Sequence, residues 1–335
     1  MIRTALLSKW HVHADDYAKQ AKENPNVSID VVWDEDPDRG QQWAEKLGVP
    51  FEKDLHTVLT NSEIDAVIVD TPTNQHKEVI LEAAQNHKHI FTEKVLALTV
   101  EDCDEMISAI EANDVELMVS LPRLTESYYL YAQEVLDRGW LGELTSIRCR
   151  LAHNGAVPFD GHPHGWLPEH FFNKEQCGGG SLIDLGAHPI YLTNRLAGPA
   201  EAVTARLRNT KGYEVDDNAV VLVEYQSGAL GTLETGFLSN QSPFQLELYG
   251  TEGALMIEDE DIRLKSSHLE QQGWITPEEM PESLAMPLDQ WVEAIINKKQ
   301  PAVQWSDARN LTLINEAAAL SQQENRRVQL DEVTK

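Results

Sequence analysis

The chain has 335 residues, 41% of them hydrophobic, and its 55 acidic against 27 basic side chains give a formal net charge of -28. This length allows two domains, and the apolar content excludes a disordered chain. A surface this acidic repels nucleic acid and anionic membranes, so neither is expected as a partner. Three widely spaced cysteines and the lack of a long apolar segment predict a reduced, cytoplasmic protein without a membrane span or signal peptide.

Residues 1–122 alternate apolar runs with helical segments. Strands are predicted at 2–7, 27–33, 64–69, 89–92 and 116–121, with helices at 14–23, 38–47, 75–86 and 100–113. Alternation of this kind, with strands that are almost continuously apolar, is typical of a parallel sheet covered on both faces. Such sheets bind ligands beyond the carboxyl ends of their strands, so the residues after each strand are the candidate site.

The segment after the first strand, Ser8 to His13, lacks the Gly-x-Gly-x-x-Gly pattern of a dinucleotide site. The helix that follows still offers free N–H groups to a phosphate near Val12. After the second strand, Asp34 is suited to accept hydrogen bonds from the adenosine ribose, and together with Glu35 it would repel a 2′-phosphate, which favours NAD over NADP. The alternative interpretation is a solvated acidic turn.

Three consecutive glycines open the segment 178–188 of the second half. Ser181 is predicted to cap a helix that starts at Leu182, and Asp184 and His188 would share one face of it because they are four residues apart. A carboxylate and an imidazole so placed are a plausible acid–base pair. A capped helix with a surface Asp–His pair is the alternative.

The second half contains successive strands without alternating helices, which predicts a mainly antiparallel sheet. These strands are predicted at 144–151, 202–208, 219–225, 229–237, 245–249 and 254–258. One sheet face is expected to carry Val220, Leu222, Leu230 and Leu246 and to promote self-association. The domains are therefore predicted at 1–122 and 123–335, with amphipathic helices at 287–297 and 306–325 returning to brace the first.

Four segments together resemble the glucose–fructose oxidoreductase, inositol dehydrogenase and MocA family, abbreviated Gfo/Idh/MocA. Residues 91–99, with Glu93 and Lys94, are similar to its Glu-Lys-Pro motif. Residues 71–76 resemble its Thr-Pro-Asn…His segment, 178–188 its glycine-rich segment, and 306–328 its closing helix and tail. The resemblance implies a Rossmann-type domain joined to an open-sheet domain, and an NAD(P)-dependent oxidoreductase that acts on a secondary hydroxyl of a sugar, polyol or cyclitol as a homodimer or homotetramer.

The resemblance also implies site residues. Lys94, Asp184 and His188 would form the catalytic set, although which of Lys94 and His188 accepts the proton stays open. The implied cofactor-binding residues are Ser8, Trp10, His11, Val12, Asp34, Thr71, Pro72, Asn74, His76, Glu93 and Lys94. The chain departs from the family at Ser8, Trp10 and His13, which stand in place of glycines, and at Val95 and Tyr191, which stand in place of a proline and a frequent aspartate.

A histidine-rich stretch spans residues 153–170. It is interpreted as a substrate lid in which Trp166 stacks on a sugar and His170 contacts it, with a metal site or a packing insertion as alternatives; no metal is predicted. Arg123 and Tyr128 are expected to line the substrate pocket, or else to be structural. Two rival functions remain: a sugar lyase or hydrolase that uses bound NAD transiently, and a non-catalytic sugar or nucleotide sensor.

Overall fold

A computed structural model describes residues 1–334, which divide into two compact units. The first contains residues 1–122 and 285–309, and the second contains 123–284 and the chain from 310 onward. The strands are β1 (Ile2–Leu7), β2 (Val27–Trp33), β3 (Ala66–Val69), β4 (His89–Thr92), β5 (Leu117–Val119), β6 (Leu144–Ala152), β7 (Ala200–Arg208), β8 (Asn218–Tyr225), β9 (Leu230–Gly236), β10 (Gln245–Gly250), β11 (Gly253–Glu258), β12 (Asp261–Ser266) and β13 (Val328–Gln329). The helices are α1 (Ala14–Glu23), α2 (Pro37–Leu47), α3 (Leu55–Thr60), α4 (His76–Gln85), α5 (Val100–Ala112), α6 (Ser127–Asp137), α7 (Lys174–Cys177), α8 (Ala187–Ala197), α9 (Pro287–Asn297) and α10 (Trp305–Glu324).

The first unit is built on a parallel five-stranded sheet in the order β2-β1-β3-β4-β5. The residues of β3 are wholly buried, as expected for a strand covered on both faces. α9 packs on β4 and β5, where Trp291 lies 5.8 Å from Phe91 between ring centroids. The predicted Rossmann-type sheet is confirmed.

The second unit contains an eight-stranded sheet in the order β12-β11-β10-β6-β9-β8-β7-β13. Every neighbouring pair is antiparallel except β6 and β9, so the predicted, mainly antiparallel sheet is confirmed. β8 alternates buried and exposed residues, which leaves Val220 and Leu222 exposed, with Leu230 nearby on β9. Leu246 was predicted to lie on the same bare face, and this is wrong: it is fully buried, because its side chain projects to the opposite, packed face of the sheet.

Within residues 1–334, no helix has both the length and the apolar character needed to cross a bilayer. The three cysteines are buried and unbridged.

Candidate active site

The residues that follow the strands of the first sheet lie along one edge. Leu7 pairs with Val69, and Val69 pairs with Thr92, so these three strands end together. The pairing continues one residue further, because the Asp70 N–H donates to the Leu7 carbonyl and the Glu93 N–H donates to the Val69 carbonyl. β1 lies between β2 and β3, so the strand order reverses there, and doubly wound sheets bind ligands at such a point.

The turn from β1 to α1 closes without glycine. Ser8 adopts a φ of 76°, in the left-handed region that normally favours glycine. Its Oγ accepts the Trp10 N–H at 3.0 Å, and the His11 N–H donates to the Asp70 carbonyl at 3.3 Å. Trp10 is 6% exposed, so its indole is turned into the protein, whereas Val12 is exposed. The bulk of Trp10 therefore does not project into solvent at the start of α1.

Asp34, directly after β2, is saturated by internal hydrogen bonds. Oδ1 accepts the Asp36 N–H at 2.8 Å and Nη2 of Arg39 at 2.6 Å, and Oδ2 accepts the Lys9 N–H at 2.9 Å and Nε of Arg39 at 3.0 Å. A carboxylate offers about four acceptor positions, and these bonds fill them. Glu35 accepts Nη2 of Arg39 with Oε1 at 2.6 Å, while its buried Oε2 has no hydrogen-bond partner within residues 1–334. Asp34 therefore holds the turn and Arg39, and Glu35 retains the acceptor that a ribose hydroxyl needs.

Glu93, at the end of β4, is the centre of a buried polar cluster. Its Oε2 lies 3.1 Å from Nδ1 of His13 and 3.7 Å from Nδ1 of His11, and it accepts the Tyr17 hydroxyl. Oε1 lies 4.0 Å from Nζ of Lys94. Burial alone would raise the pKa of Glu93, but His11, His13 and Lys94 outweigh it and hold that pKa well below its usual range. Burial, reinforced by the charge of Glu93, raises the pKa of Tyr17 well above normal, so its hydroxyl remains a donor.

Asp70 follows β3 and is fully buried. In the part of the chain that the structure describes, neither of its carboxyl oxygens has a hydrogen-bond partner, and the same is true of the buried Thr71 Oγ1. Burial first, and the Glu93 charge second, raise the pKa of Asp70 well above its usual range. Most buried polar groups are hydrogen-bonded, so two unsatisfied side chains at one sheet edge indicate a place where a ligand supplies the missing bonds.

His76 braces the neighbouring turns. Its Nδ1 lies 3.0 Å from the Val95 carbonyl and 3.2 Å from the Leu96 carbonyl, and its Nε2 lies 3.1 Å from the Thr71 carbonyl. Burial lowers the pKa of His76, which keeps the ring neutral near pH 7. The ring thus joins the turn after β3 to the backbone after Lys94, where the peptide bond to Val95 is cis. Between Thr71 and His76, Pro72 is buried and precedes a short 3₁₀ segment, Thr73–Gln75, in which Asn74 is exposed.

The glycine-rich segment of the second unit is held by Asp216, which the sequence analysis missed. Asp216 Oδ1 accepts the Gly180 N–H at 3.0 Å, while Oδ2 accepts the Leu182 N–H at 2.9 Å and the Ser181 hydroxyl at 2.7 Å. A Cβ at Gly180 would lie 1.9 Å from the Asp216 carbonyl oxygen, so the close approach requires glycine there. Asp216 lies 34 to 36 residues further along the chain, and no local pattern marks it.

The prediction that Asp184 and His188 share a helical face is wrong. α8 begins at Ala187 rather than Leu182, and Asp184 lies in the turn before it. The predicted cap is also wrong, because the Ser181 hydroxyl donates to Asp216 and the N-cap of α8 has no side-chain hydrogen bond. Asp216 therefore satisfies the Gly180 and Leu182 N–H groups in the turns that precede α8.

His188, the second residue of α8, is paired with Tyr191. Its Nδ1 lies 2.6 Å from the Tyr191 hydroxyl, which also accepts the Arg123 N–H at 3.3 Å. Tyr191 is 1% exposed, and burial raises its pKa well above normal, so the hydroxyl keeps its proton. The residue in place of the family's frequent aspartate is therefore a neutral hydrogen-bonding partner of the imidazole. The sequence analysis noted the exchange without assigning it this role.

Arg123 is engaged inside the second unit. Nη1 donates to the Tyr128 hydroxyl at 3.1 Å, and the guanidinium lies 5.0 Å from the ring centroid of Phe244. Burial raises the pKa of Tyr128 to about 12, although Arg123 opposes the shift. This arrangement gives Arg123 and Tyr128 a structural role, and lining a pocket stays a prediction for both.

The histidine-rich stretch has its own apolar core. The buried residues of that core are Ala156, Leu167, Phe171, Phe172, Val215 and Phe237. Trp166 is 49% exposed, its Nε1 donates to Asn154 Oδ1 at 3.1 Å, and its ring lies 4.8 Å from His153. His170 lines a cavity of about 670 Å³ together with His164 and Tyr213. Trp166 and His170, the two predicted substrate contacts, thus have different neighbours. That either of them contacts substrate stays a prediction.

A parallel Rossmann-type sheet with polar residues at its switch point, and a second unit with a large open sheet, define a two-domain architecture of the nucleotide-binding class. Residues 10–121 match the model of the oxidoreductase family with an NAD-binding Rossmann fold, and residues 129–256 match that of the GFO/IDH/MocA C-terminal domain. The chain belongs to the Gfo/Idh/MocA family of oxidoreductases, as the resemblance of its motifs predicted.

Relatives with established names match almost the whole chain. The chain is 26% identical over 335 residues to a myo-inositol 2-dehydrogenase of Thermotoga maritima, and the match covers 95% of each chain. It is 29% identical over 328 residues to a scyllo-inositol 2-dehydrogenase (NAD(+)) of Bacillus subtilis, covering 92% of this chain and 90% of that one. A levoglucosan dehydrogenase solved with NADH and levoglucosan has the same fold, with a TM-score of 0.82, 20% identity and full coverage of both chains.

Proposed function

We propose that this protein is an NAD-dependent dehydrogenase that oxidises a secondary hydroxyl of a sugar, polyol or cyclitol, and reduces the corresponding ketone in reverse. Lys94 carries the proposal: it is 6% exposed and follows β4 at the switch-point edge of a nucleotide-binding sheet. The names of the inositol dehydrogenases similar to this chain support the substrate class.

The residues of the first unit fit a dinucleotide. A ribose hydroxyl needs a carboxylate acceptor after β2, and the unpartnered Oε2 of Glu35 meets this need. The Thr71 hydroxyl is a second unsatisfied group at the same edge. Phosphate oxygens would lie at the N-terminus of α1, whose macrodipole favours an anion. When bound, the nicotinamide supplies the hydride acceptor.

The chain itself supplies charge and proton transfer. In the proposal the Lys94 ammonium donates a hydrogen bond to the reacting oxygen and stabilises its developing negative charge. In the same proposal His188 is the acid–base group: Tyr191 lies at its Nδ1, so Nε2 would exchange the proton of the substrate hydroxyl, as imidazoles do readily near neutral pH. Asp184 binds a neighbouring hydroxyl and so selects substrates with adjacent hydroxyl groups.

The test is a titration with NAD and NADP, followed by Trp fluorescence, together with a panel of inositols and anhydrosugars assayed for NADH. We expect NAD binding, stoichiometric NADH and a ketone product. Turnover without net NADH would instead support transient use of bound NAD, and no binding at about millimolar NAD, a weak affinity on the usual scale, would support a sensor.

We propose that NAD is preferred to NADP because Glu35 pairs with Arg39 and adds negative charge near the ribose. Glu35→Ala removes that charge and leaves Arg39 closer to the position of a 2′-phosphate. We expect kcat/KM for NADP to rise relative to that for NAD by about tenfold, equivalent to roughly 1.4 kcal/mol. Asp38→Ala, the same charge change at an exposed site on α2, is the control. An equal shift in both variants would mean that only net charge matters.

We also propose a homodimer or homotetramer that buries the apolar patch of Val220, Leu222 and Leu230, which are 45%, 51% and 57% exposed. Leu222→Glu places a charge in that contact and is expected to yield monomers in sedimentation velocity, whereas Phe159→Ser, at another exposed apolar side chain, is not. A monomeric wild-type protein at micromolar concentration would contradict this.

The unbridged cysteines support the proposed cytoplasmic location.

A further inference from the structure

The turn that lacks glycine contains an unusual set of side chains. His11 and His13 directly precede α1, and Glu93 directly follows β4. One ligand atom from each of these three residues lies within 4.8 Å of the other two. His11 is 6% exposed and Glu93 is 2% exposed, whereas the side chain of His13 is 42% exposed. The group therefore lies at the protein surface with two members buried and one in contact with solvent.

The separations suit a single ion. Ligands bound to zinc at about 2.0–2.2 Å in a tetrahedral site lie roughly 3–3.5 Å apart. Here Glu93 Oε2 is 3.1 Å from His13 Nδ1 and 3.7 Å from His11 Nδ1. The two imidazole rings lie 4.8 Å apart between centroids and are tilted by 58°, so their nitrogens can turn toward one point.

A second observation points to a cation at this place. The Asp70 carboxyl is fully buried and makes no hydrogen bond within residues 1–334, and Asp70 follows β3, which pairs with the strand that Glu93 follows. A buried carboxyl group without hydrogen bonds is unfavourable unless a bound group satisfies it. Both Asp70 oxygens lack a hydrogen-bond partner in the described chain, so they remain acceptors that a bound ion or its water ligands would satisfy.

We propose that His11, His13 and Glu93 bind a divalent transition-metal ion, with the Asp70 carboxyl beside it as a fourth group. Two histidines and one glutamate form an established zinc ligand set that leaves a coordination position open. Imidazole also suits cobalt and nickel, so the chemistry specifies a borderline divalent metal rather than magnesium or calcium. The site lies wholly within the first unit, beside the start of α1 and Lys94, and its test measures metal binding without relying on the proposed dehydrogenase activity.

The test measures metal binding directly on the full chain after removal of bound metal with a chelator. We expect calorimetry to show one Zn²⁺ per chain, and Co²⁺ to give the visible absorption of a site with nitrogen and oxygen ligands. His13→Gln, at the most exposed ligand, is expected to weaken Zn²⁺ binding by about 100-fold or more, since even residues behind a metal ligand contribute 10–100-fold. Zn²⁺ should also raise the unfolding temperature of the wild type and not of this variant.

His56→Gln is the matched control. His56 is an exposed histidine whose Nδ1 lies 2.7 Å from Glu82 Oε1, so it has one carboxylate partner as His13 does, but it is not part of the three-residue group. It should leave Zn²⁺ affinity unchanged. Glu93→Gln, which keeps the shape of the side chain, should match His13→Gln. Wild-type binding no tighter than about millimolar, or equal losses in His13→Gln and His56→Gln, would show only adsorption to an acidic protein and would overturn the proposal.

Discussion

Lys94→Met is expected to reduce kcat/KM for the sugar substrate by about 10²–10³-fold, as does loss of a single donor to a developing oxyanion. Methionine keeps much of the apolar stem and removes the ammonium group. Because Lys94 Nζ lies 4.0 Å from Glu93 Oε1, its loss also removes one positive neighbour from that carboxylate. The affinity for NAD, measured by titration, should change much less than the rate.

Lys88→Met is the matched control for this variant. Lys88 is also 6% exposed, but it precedes β4, at the opposite end of the strand from Lys94. Its Nζ donates to the carbonyls of Asn61 and Ile64, so its loss should lower the free energy of unfolding and leave kcat/KM almost unchanged. If Lys94→Met keeps most of its activity, or if Lys88→Met loses as much, then the assigned role of Lys94 is wrong.

The sequence predicted the first unit well because its signals are local. The strand at Ile2–Leu7 coincides with the short, mainly apolar run predicted there, and α2 ends at Leu47 before its C-cap Gly48, whose φ of 76° is left-handed. The expectation that glycine occupies left-handed positions missed the turn after β1, where Ser8 adopts a left-handed φ. The Ser8 N–H donates to the Trp33 carbonyl of β2 at 2.7 Å and its Oγ accepts Nη2 of Arg39 at 3.3 Å, and these two bonds depend on the fold rather than on adjacent residues.

The second unit shows where local patterns fail. The spacing of Asp184 and His188 is correct for a helix, yet α8 begins only at Ala187. The turns before it are bonded at Gly180 and Leu182 to Asp216, which lies 34 to 36 residues further along the chain. Similarly, Asp34 has the residue type and position of a ribose ligand, but Arg39 and backbone N–H groups fill its acceptors. The position of a residue after a strand predicts which side chains reach the carboxyl edge of the sheet. Only the fold determines which hydrogen-bond acceptors of those side chains are already occupied.

His188→Gln is expected to lower kcat/KM by about 10²–10⁴-fold, the usual contribution of a positioned acid–base group. Glutamine retains hydrogen-bonding capacity but cannot exchange a proton near neutral pH. Tyr191→Phe keeps the imidazole and removes only the hydroxyl 2.6 Å from its Nδ1. One neutral hydrogen bond contributes about 1 kcal/mol, so this variant should lose roughly fivefold in kcat with little change in KM.

The ordering of the variants tests the proposed shared oxygen. If Lys94 and His188 act on one hydroxyl, Lys94→Met combined with His188→Gln should lose far less than the product of the single losses, because groups that act as a unit are not additive. Tyr191→Phe combined with His188→Gln should be no worse than His188→Gln alone, since the tyrosine acts only through the imidazole. If the losses of Lys94→Met and His188→Gln multiply in the double variant, the two side chains have separate functions. If Tyr191→Phe loses as much activity as His188→Gln, the tyrosine supports the fold rather than the His188 imidazole.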